Sequence, residues 1–123
     1  MTYNFKKIDH VQLAAPVGSE QQAREFYGKL LGFKEVEKPE ALKQNGGVWF
    51  KAGDVHIHIG IEHSFRPAKK AHPAILVANL EALKQRLQMY GINCVNDDKL
   101  PGAKRFYVED PYENRLEFLE RLE

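Results

Sequence analysis

The stretch VEDPYENRLEFLE, residues 108–120, decides our prediction of the fold, because a polar turn runs directly into an alternating segment. In that segment Leu116 and Phe118 alternate with Arg115, Glu117 and Leu119. Alternation with a period of two is typical of a strand whose two faces meet different surroundings. We therefore predict a strand over residues 115–122 that carries Glu117 on the face opposite Leu116 and Phe118.

A similar strand is predicted about half a chain earlier, over residues 55–62. There the aliphatic residues share one face and His56, His58, Gly60 and Glu62 share the other. His58 and Glu117 are 59 residues apart, as are Gly32 and Gly91, and His10 and His72 are 62 residues apart. A repeated interval of this kind indicates an internal duplication.

Each half of the chain is predicted to form one strand, one helix and then three strands. In the first half the helix begins with a capping box formed by Ser19 and Gln22 and ends before Gly32. In the second half Asn79 caps the helix and Gly91 follows it. The predicted first-half elements are a strand at 7–14, a helix at 20–31 and strands at 33–37, 48–51 and 55–62. The predicted second-half strands are 72–78, 92–96, 105–109 and 115–122.

These elements predict a single α+β domain over residues 1–123. It consists of two βαβββ modules, at about 5–62 and 72–122, which are joined by a polar loop at 62–71 and form a curved mixed sheet around a shared pocket. A chain of 123 residues with 43% hydrophobic and 28% charged residues suits one globular domain.

The net charge indicates which kinds of partner to expect, and the cysteine content indicates the cellular compartment. The formal net charge of +1 gives no field for nucleic acid or an anionic membrane, so we expect a small-molecule substrate. Residues 1–7 lack the apolar run of a signal peptide, and no segment has transmembrane length. Cys94 is the only cysteine, which excludes an internal disulfide and favours the cytoplasm. We expect it to be a buried structural thiol.

Strand parity directs a set of polar side chains into the predicted pocket. His10, His72 and Glu117 are the candidate metal ligands, since two imidazoles and one carboxylate with open positions form a recurring catalytic site for Zn, Fe, Mn, Ni or Co. Glu117 as a surface carboxylate is the main alternative. His58 is either a further ligand or a residue hydrogen-bonded to a neighbour, whereas His56 and His63 are expected to bind no metal.

Four other residues are candidates for substrate binding. Arg105 and Tyr107 share a strand face and suit an anionic or hydroxylated substrate, although Tyr107 is equally suited to the core. Gln12 lies on the predicted pocket face. Trp49 and Phe50 are both suited to an apolar pocket wall, with one of the two packed in the core, and we take Trp49 as the substrate-binding candidate.

Five segments resemble the vicinal oxygen chelate superfamily, which includes the glyoxalases, bleomycin-resistance proteins and extradiol dioxygenases. They are IDHVQLAAP at 8–16, AREFYGKLLGF at 23–33, IHIGIE at 57–62, KAHPAILV at 70–77 and the opening stretch at 108–120. The resemblance implies paired βαβββ modules around a metal pocket, commonly in a homodimer. It also implies that His10, His72 and Glu117 are the ligands, while His58 lies where glyoxalase I-like members have a carboxylate.

The resemblance leaves two classes of function. The first is a divalent-metal-dependent enzyme of the lyase, isomerase, thiol transferase or oxygenase type, which chelates two oxygens of a small substrate and uses His58 to move protons. Glyoxalase I itself is disfavoured by His58, and ring-cleaving dioxygenases by the presence of two modules rather than four. The second class is a metal-free drug- or metabolite-binding protein of the bleomycin-resistance type. A metal-free pocket held together by hydrogen bonds is a third possibility.

Overall fold

The computed structural model describes residues 2–122 and contains eight strands over that range. The first four strands are β1 (Val11–Ala15), β2 (Lys34–Val36), β3 (Val48–Ala52) and β4 (Val55–Ile61). The last four are β5 (Ala74–Leu76), β6 (Val95–Asp97), β7 (Ala103–Glu109) and β8 (Arg115–Arg121). The helical segments are α1 (Glu20–Ala23), a π-helix (Arg24–Leu30), a 3₁₀ helix (Glu40–Asn45) and α2 (Leu80–Met89).

The strands form two four-stranded sheets with the same topology. Their orders are β1-β4-β3-β2 and β5-β8-β7-β6, and in each sheet the first strand is parallel to its neighbour while the other pairs are antiparallel. The prediction of an α+β fold with two βαβββ modules is therefore confirmed. None of the helices in the described range is long and apolar enough to cross a membrane.

The apolar faces of both sheets and the helices form one core. Phe50, Ile57 and Ile59 are fully buried in the first module, as are Phe106 and Leu116 in the second. They belong to one cluster of buried residues that also contains Tyr27 and Leu30 of the π-helix and Leu87 of α2. Burying each large side chain contributes about 1.5–3 kcal/mol, so this core fixes which face of each strand remains available for a site.

The first helix differs from the prediction. The Ser19 side chain makes no cap hydrogen bond, because the Ser19 backbone is helical (φ −91°, ψ −3°) rather than extended as in most N-caps. The prediction of a capping box formed by Ser19 and Gln22 is therefore wrong. After one α-helical turn the chain widens into a π-helix, as shown by the bond from the Leu31 amide to the Phe26 carbonyl (2.9 Å).

Three strands begin two or more residues later than predicted, at Val11, Ala74 and Val95 instead of 7, 72 and 92. Residues 2–10 pair with no strand in the described structure, and β1 begins at Val11, where its pairing with Ile57 of β4 begins. Pro73 immediately precedes β5 and has no amide hydrogen to donate. The Ile92 amide donates to the Leu87 carbonyl at the end of α2, so β6 begins only at Val95.

Buried polar groups join the two modules around Asp110. Its carboxylate accepts hydrogen bonds from the hydroxyl of Tyr27 (2.6 Å), the amide of Tyr112 (2.9 Å) and the amide of Asn114 (2.9 Å). Asn114 Nδ2 also donates to the Ala14 carbonyl (2.8 Å) in β1. Burial, followed by the Asp110 charge, raises the pKa of Tyr27 well above its usual value, so its hydroxyl remains a donor.

We predict that Tyr27→Phe lowers the free energy of unfolding by about 1–3 kcal/mol, because it removes a donor from the buried Asp110 carboxylate. Tyr90→Phe is the matched control, since Tyr90 is exposed. Urea denaturation of both variants measures the difference. Equal stability of the two variants would show that the bond between Tyr27 and Asp110 contributes little.

Candidate functional site

The predicted site residues, together with Asp97, form two groups, one beside each sheet. The first group, which we call the aromatic stack, consists of Trp49, His58 and His10, with Gln12 beside it. The second, which we call the carboxylate cluster, consists of His72, Glu117, Arg105, Tyr107 and Asp97.

The aromatic stack is three rings deep. Trp49 and His58 are 3.8 Å apart between ring centroids and tilted by only 4°, and His10 covers the other face of His58 at 4.0 Å and 17°. Strand register produces the first contact, since Trp49 of β3 pairs with His58 of β4. His10 is exposed and precedes β1, and its Nδ1 lies 2.9 Å from Asp9 Oδ1.

Gln12 lies over Gly60 on the same face of the first sheet. Gln12 pairs with His58 across the parallel strands β1 and β4. A Cβ atom at Gly60 would lie 2.7 Å from Gln12 Nε2, so the glycine makes room for this side chain. Gln12 is thereby held next to His58.

His58 is buried and uncharged at neutral pH. Burial lowers its pKa to about 4, with further lowering by positive charge on His10 and His56. In the structure of residues 2–122 neither ring nitrogen of His58 has a protein hydrogen-bond partner. One of the two nitrogens of a neutral imidazole is an acceptor, so His58 can take up a proton from a bound molecule.

The carboxylate cluster is held by short polar contacts. His72 Nε2 lies 2.9 Å from Glu117 Oε1, and His72 Nδ1 lies 2.8 Å from the Lys70 carbonyl oxygen. Arg105 Nη1 donates to the other Glu117 oxygen, Oε2, at 3.2 Å. Two more Arg105 nitrogens donate to Asp97 Oδ1.

Strands β6, β7 and β8 carry Asp97, the pair Arg105 and Tyr107, and Glu117 respectively, and His72 precedes β5. Glu117 lies in the middle of β8, opposite Ala74 of β5 on one side and Tyr107 of β7 on the other. Tyr107 meets the His72 ring edge-on at 5.5 Å, and the Arg115 guanidinium lies 4.4 Å from the centroid of the Tyr107 ring. The Glu117 side chain is only 6% exposed although it is acidic.

The carboxylate cluster fits a divalent cation in part. His72 Nδ1 faces a backbone carbonyl and Nε2 faces a carboxylate oxygen, so a cation placed between Nε2 and Glu117 Oε1 would have one nitrogen and one oxygen donor. The contact from Nδ1 to a backbone carbonyl is the usual support of a metal-binding histidine.

A third ligand does not join this pair within one chain. Over residues 2–122 no group of three or more His, Cys, Asp or Glu residues is arranged to hold a metal ion. His10 instead stacks on His58, and lone pairs in the planes of two nearly parallel rings do not converge on one ion. The structure thus brings His72 and Glu117 together and leaves His10 with the aromatic stack.

Asp97 and Asp110 were not among the residues predicted from the sequence. The predicted strand stopped at 96, one residue before Asp97, which pairs with Arg105 in the hairpin of β6 and β7. Extending the predicted strand by one residue and pairing it with the next strand as a hairpin would have placed Asp97 opposite Arg105. Asp110 was visible only as part of a turn, because its bond to Tyr27 joins residues 83 positions apart.

The family model of the Glyoxalase/Bleomycin resistance protein/Dioxygenase superfamily matches residues 7–118. The chain belongs to this superfamily. It is a glyoxalase-family protein of the vicinal oxygen chelate superfamily, as the resemblance in sequence indicated. None of the curated proteins matches it.

Solved structures of the glyoxalase family share the fold. A glyoxalase family protein from Bacillus anthracis is 51% identical, with 98% of this chain and 99% of that chain covered and a TM-score of 0.95. One from Enterococcus faecalis is 27% identical, with 94% and 98% covered and a TM-score of 0.75. Lactoylglutathione lyase from Agrobacterium tumefaciens is 21% identical, with 89% and 91% covered and a TM-score of 0.67, a likeness in fold alone.

We predict that His58 makes the stability of the protein depend on pH between about 4 and 6.5. In this window the unfolded chain binds a proton at His58 and the folded protein does not. The contribution is therefore full above pH 6.5 and is lost as the pH falls towards 4, at up to ~1.4 kcal/mol per pH unit. His58→Asn should flatten the profile.

Urea unfolding at several pH values, followed by the fluorescence of the single tryptophan, Trp49, measures this effect. His63→Asn is the matched control, because His63 is exposed. A His58→Asn profile as steep as that of the unchanged protein would contradict the prediction.

Proposed function

We propose that this glyoxalase-family protein is a divalent-metal-dependent enzyme that acts on a small oxygenated substrate. The observation that carries the proposal is the contact of 2.9 Å between His72 Nε2 and Glu117 Oε1. A nitrogen and an oxygen that can each bind a metal cation face each other. The Lys70 carbonyl contacts the other nitrogen of His72, and Arg105 donates to the other oxygen of Glu117. Zn, Fe, Mn, Ni and Co all suit such a donor set.

We further propose that a homodimer completes the site and that His10 of a second copy is the third ligand. His10 is half exposed and follows a segment in which three large apolar side chains are exposed among polar ones. Tyr3 is 58%, Phe5 94% and Ile8 76% exposed. Large apolar side chains exposed close together are typical of an interaction surface, and two-fold dimers are the commonest oligomers.

The roles of the side chains follow from their chemistry. A bound divalent metal supplies positive charge that polarises two neighbouring oxygens of the substrate. His58 accepts a proton, because it is uncharged at neutral pH and its ring nitrogens have no partner in the described chain. Gln12 and Tyr107 offer hydrogen bonds to the substrate, and Trp49 supports the His58 ring from behind. Proton transfer by His58 favours a lyase or isomerase reaction.

A metal-free binding protein is the second candidate. The Trp49 and His58 rings are nearly parallel, and an outer ring, His10, is exposed. A planar ligand that displaced His10 would stack on His58 without any metal. In that case the bond between His72 and Glu117 would only hold the pocket together. We place such a protein, like the enzyme, in the cytoplasm, in keeping with the free thiol of Cys94.

We predict that the purified protein binds Co²⁺ and that Glu117→Gln weakens binding at least 10-fold, since a neutral amide replaces the charged ligand. Glu109→Gln, an exposed carboxylate on β7, is the control. Isothermal titration calorimetry of protein prepared without a histidine tag gives the affinity. If the unchanged protein binds none of the five metals, the enzyme proposal is wrong and the binding-protein proposal is favoured.

Mixed dimers test whether two copies share each site. His10→Ala and Glu117→Ala are each expected to bind no metal alone. If the ligands come from two copies, refolding an equal mixture restores about a quarter of the metal content, since half of the dimers are mixed and each has one intact site. If all ligands come from one chain, the mixture binds no metal.

A further inference from the structure

We propose that Arg105 and Asp97 form a clamp that positions Glu117 as a one-oxygen metal ligand. This inference rests on the proposed function, because it takes Glu117 as a ligand. It assigns Arg105, a substrate-binding candidate in the sequence, a positioning role, and it gives a role to Asp97, which sequence analysis did not select.

The guanidinium of Arg105 bridges two carboxylates. Nη1 donates to Glu117 Oε2 at 3.2 Å, while Nε and Nη2 donate to Asp97 Oδ1 at 3.3 and 3.2 Å. An arginine fork is planar and rigid, so contacts on two of its sides fix its orientation. Arg105 therefore cannot turn towards a substrate without releasing one of the carboxylates.

The backbone anchors the far end of the clamp. Asp97 Oδ1 also accepts a hydrogen bond from the amide of Lys99 at 2.8 Å. Asp97 and Arg105 face each other in the register of β6 and β7, so the hairpin itself brings them together. The position of the Glu117 carboxylate is thus tied to two strands besides its own.

Burial makes the loss of this contact more costly than the loss of an ordinary surface ion pair. The side chain of Glu117 is 6% exposed and that of Arg105 18%. Exposed ion pairs contribute little, but a buried carboxylate needs partners for its oxygens. Arg105 satisfies Oε2, which leaves Oε1 directed at His72.

The consequence for metal binding is a choice between the two carboxylate oxygens. A free carboxylate can bind a metal through one oxygen or both, whereas the hydrogen bond from Arg105 to Oε2 would favour binding through Oε1 of Glu117. One-oxygen binding would leave a coordination position open for the substrate. Residues that support a ligand in this way typically change metal affinity 10- to 100-fold when they are replaced.

The clamp is tested with Arg105→Met, Arg105→Lys and Asp97→Asn, and with Arg115→Met as the matched control. Arg115 lies over the Tyr107 ring nearby but makes no bond to Glu117. We expect Arg105→Met to weaken Co²⁺ binding roughly 10- to 100-fold in calorimetry. Arg105→Lys, which keeps the charge without the fork, should recover part of the affinity, and Asp97→Asn should cause a smaller loss.

Infrared difference spectroscopy of the Co²⁺-loaded protein gives a second readout. The gap between the two carboxylate stretching bands distinguishes one-oxygen from two-oxygen binding, and it should change in Arg105→Met but not in Arg115→Met. Loss of stability alone would not change this gap. Circular dichroism confirms folding, and Arg105→Lys provides the test if Arg105→Met does not fold.

Wild-type affinity together with an unchanged infrared gap in both Arg105 variants would overturn this inference and leave the proposed function standing. Failure of the unchanged protein to bind Co²⁺ would overturn the proposed function and this inference with it.

Discussion

The buried carboxylate of Asp110 is the constraint on which the arrangement of the two modules depends. It lies in the turn before β8 and is bonded to Tyr27 of the π-helix, and its neighbour Asn114 is bonded to β1. An unpaired buried carboxylate is costly, so the hydrogen bonds of Asp110 and Asn114 favour the observed relative position of these segments. The start of β8 is thereby fixed beside the first module, and the parity of the strand then sets the face on which Glu117 lies.

One chain contains two separate groups of polar residues. The first sheet carries the aromatic stack and the second carries the carboxylate cluster. Each group includes partners that orient its reactive side chain, Trp49 behind His58 and Arg105 behind Glu117. In our proposal a second copy brings one group of each kind together. The exposed apolar segment at residues 3–8 would then become buried in the same step.

Sequence alone predicted the modules and the strand faces, because alternation and turn residues are local signals. Asn79 caps α2 as predicted, and Gly32 and Gly91 both have positive φ, as expected after a helix. The π-helix was missed because its apolar spacing resembles that of an α-helix. The separation of His10 from His72 was missed for another reason. Strand parity tells on which face a residue lies, but it does not tell which sheets face each other.

The central claim is that a divalent cation binds between His72 and Glu117. A crystal structure of the Zn²⁺-loaded protein, with anomalous data at the zinc edge, tests it most directly. We expect a peak about 2.0–2.2 Å from both His72 Nε2 and Glu117 Oε1, with the two atoms no longer in direct contact. An intact contact of 2.9 Å, with zinc bound elsewhere or not at all, would show that His72 and Glu117 do not hold the cation.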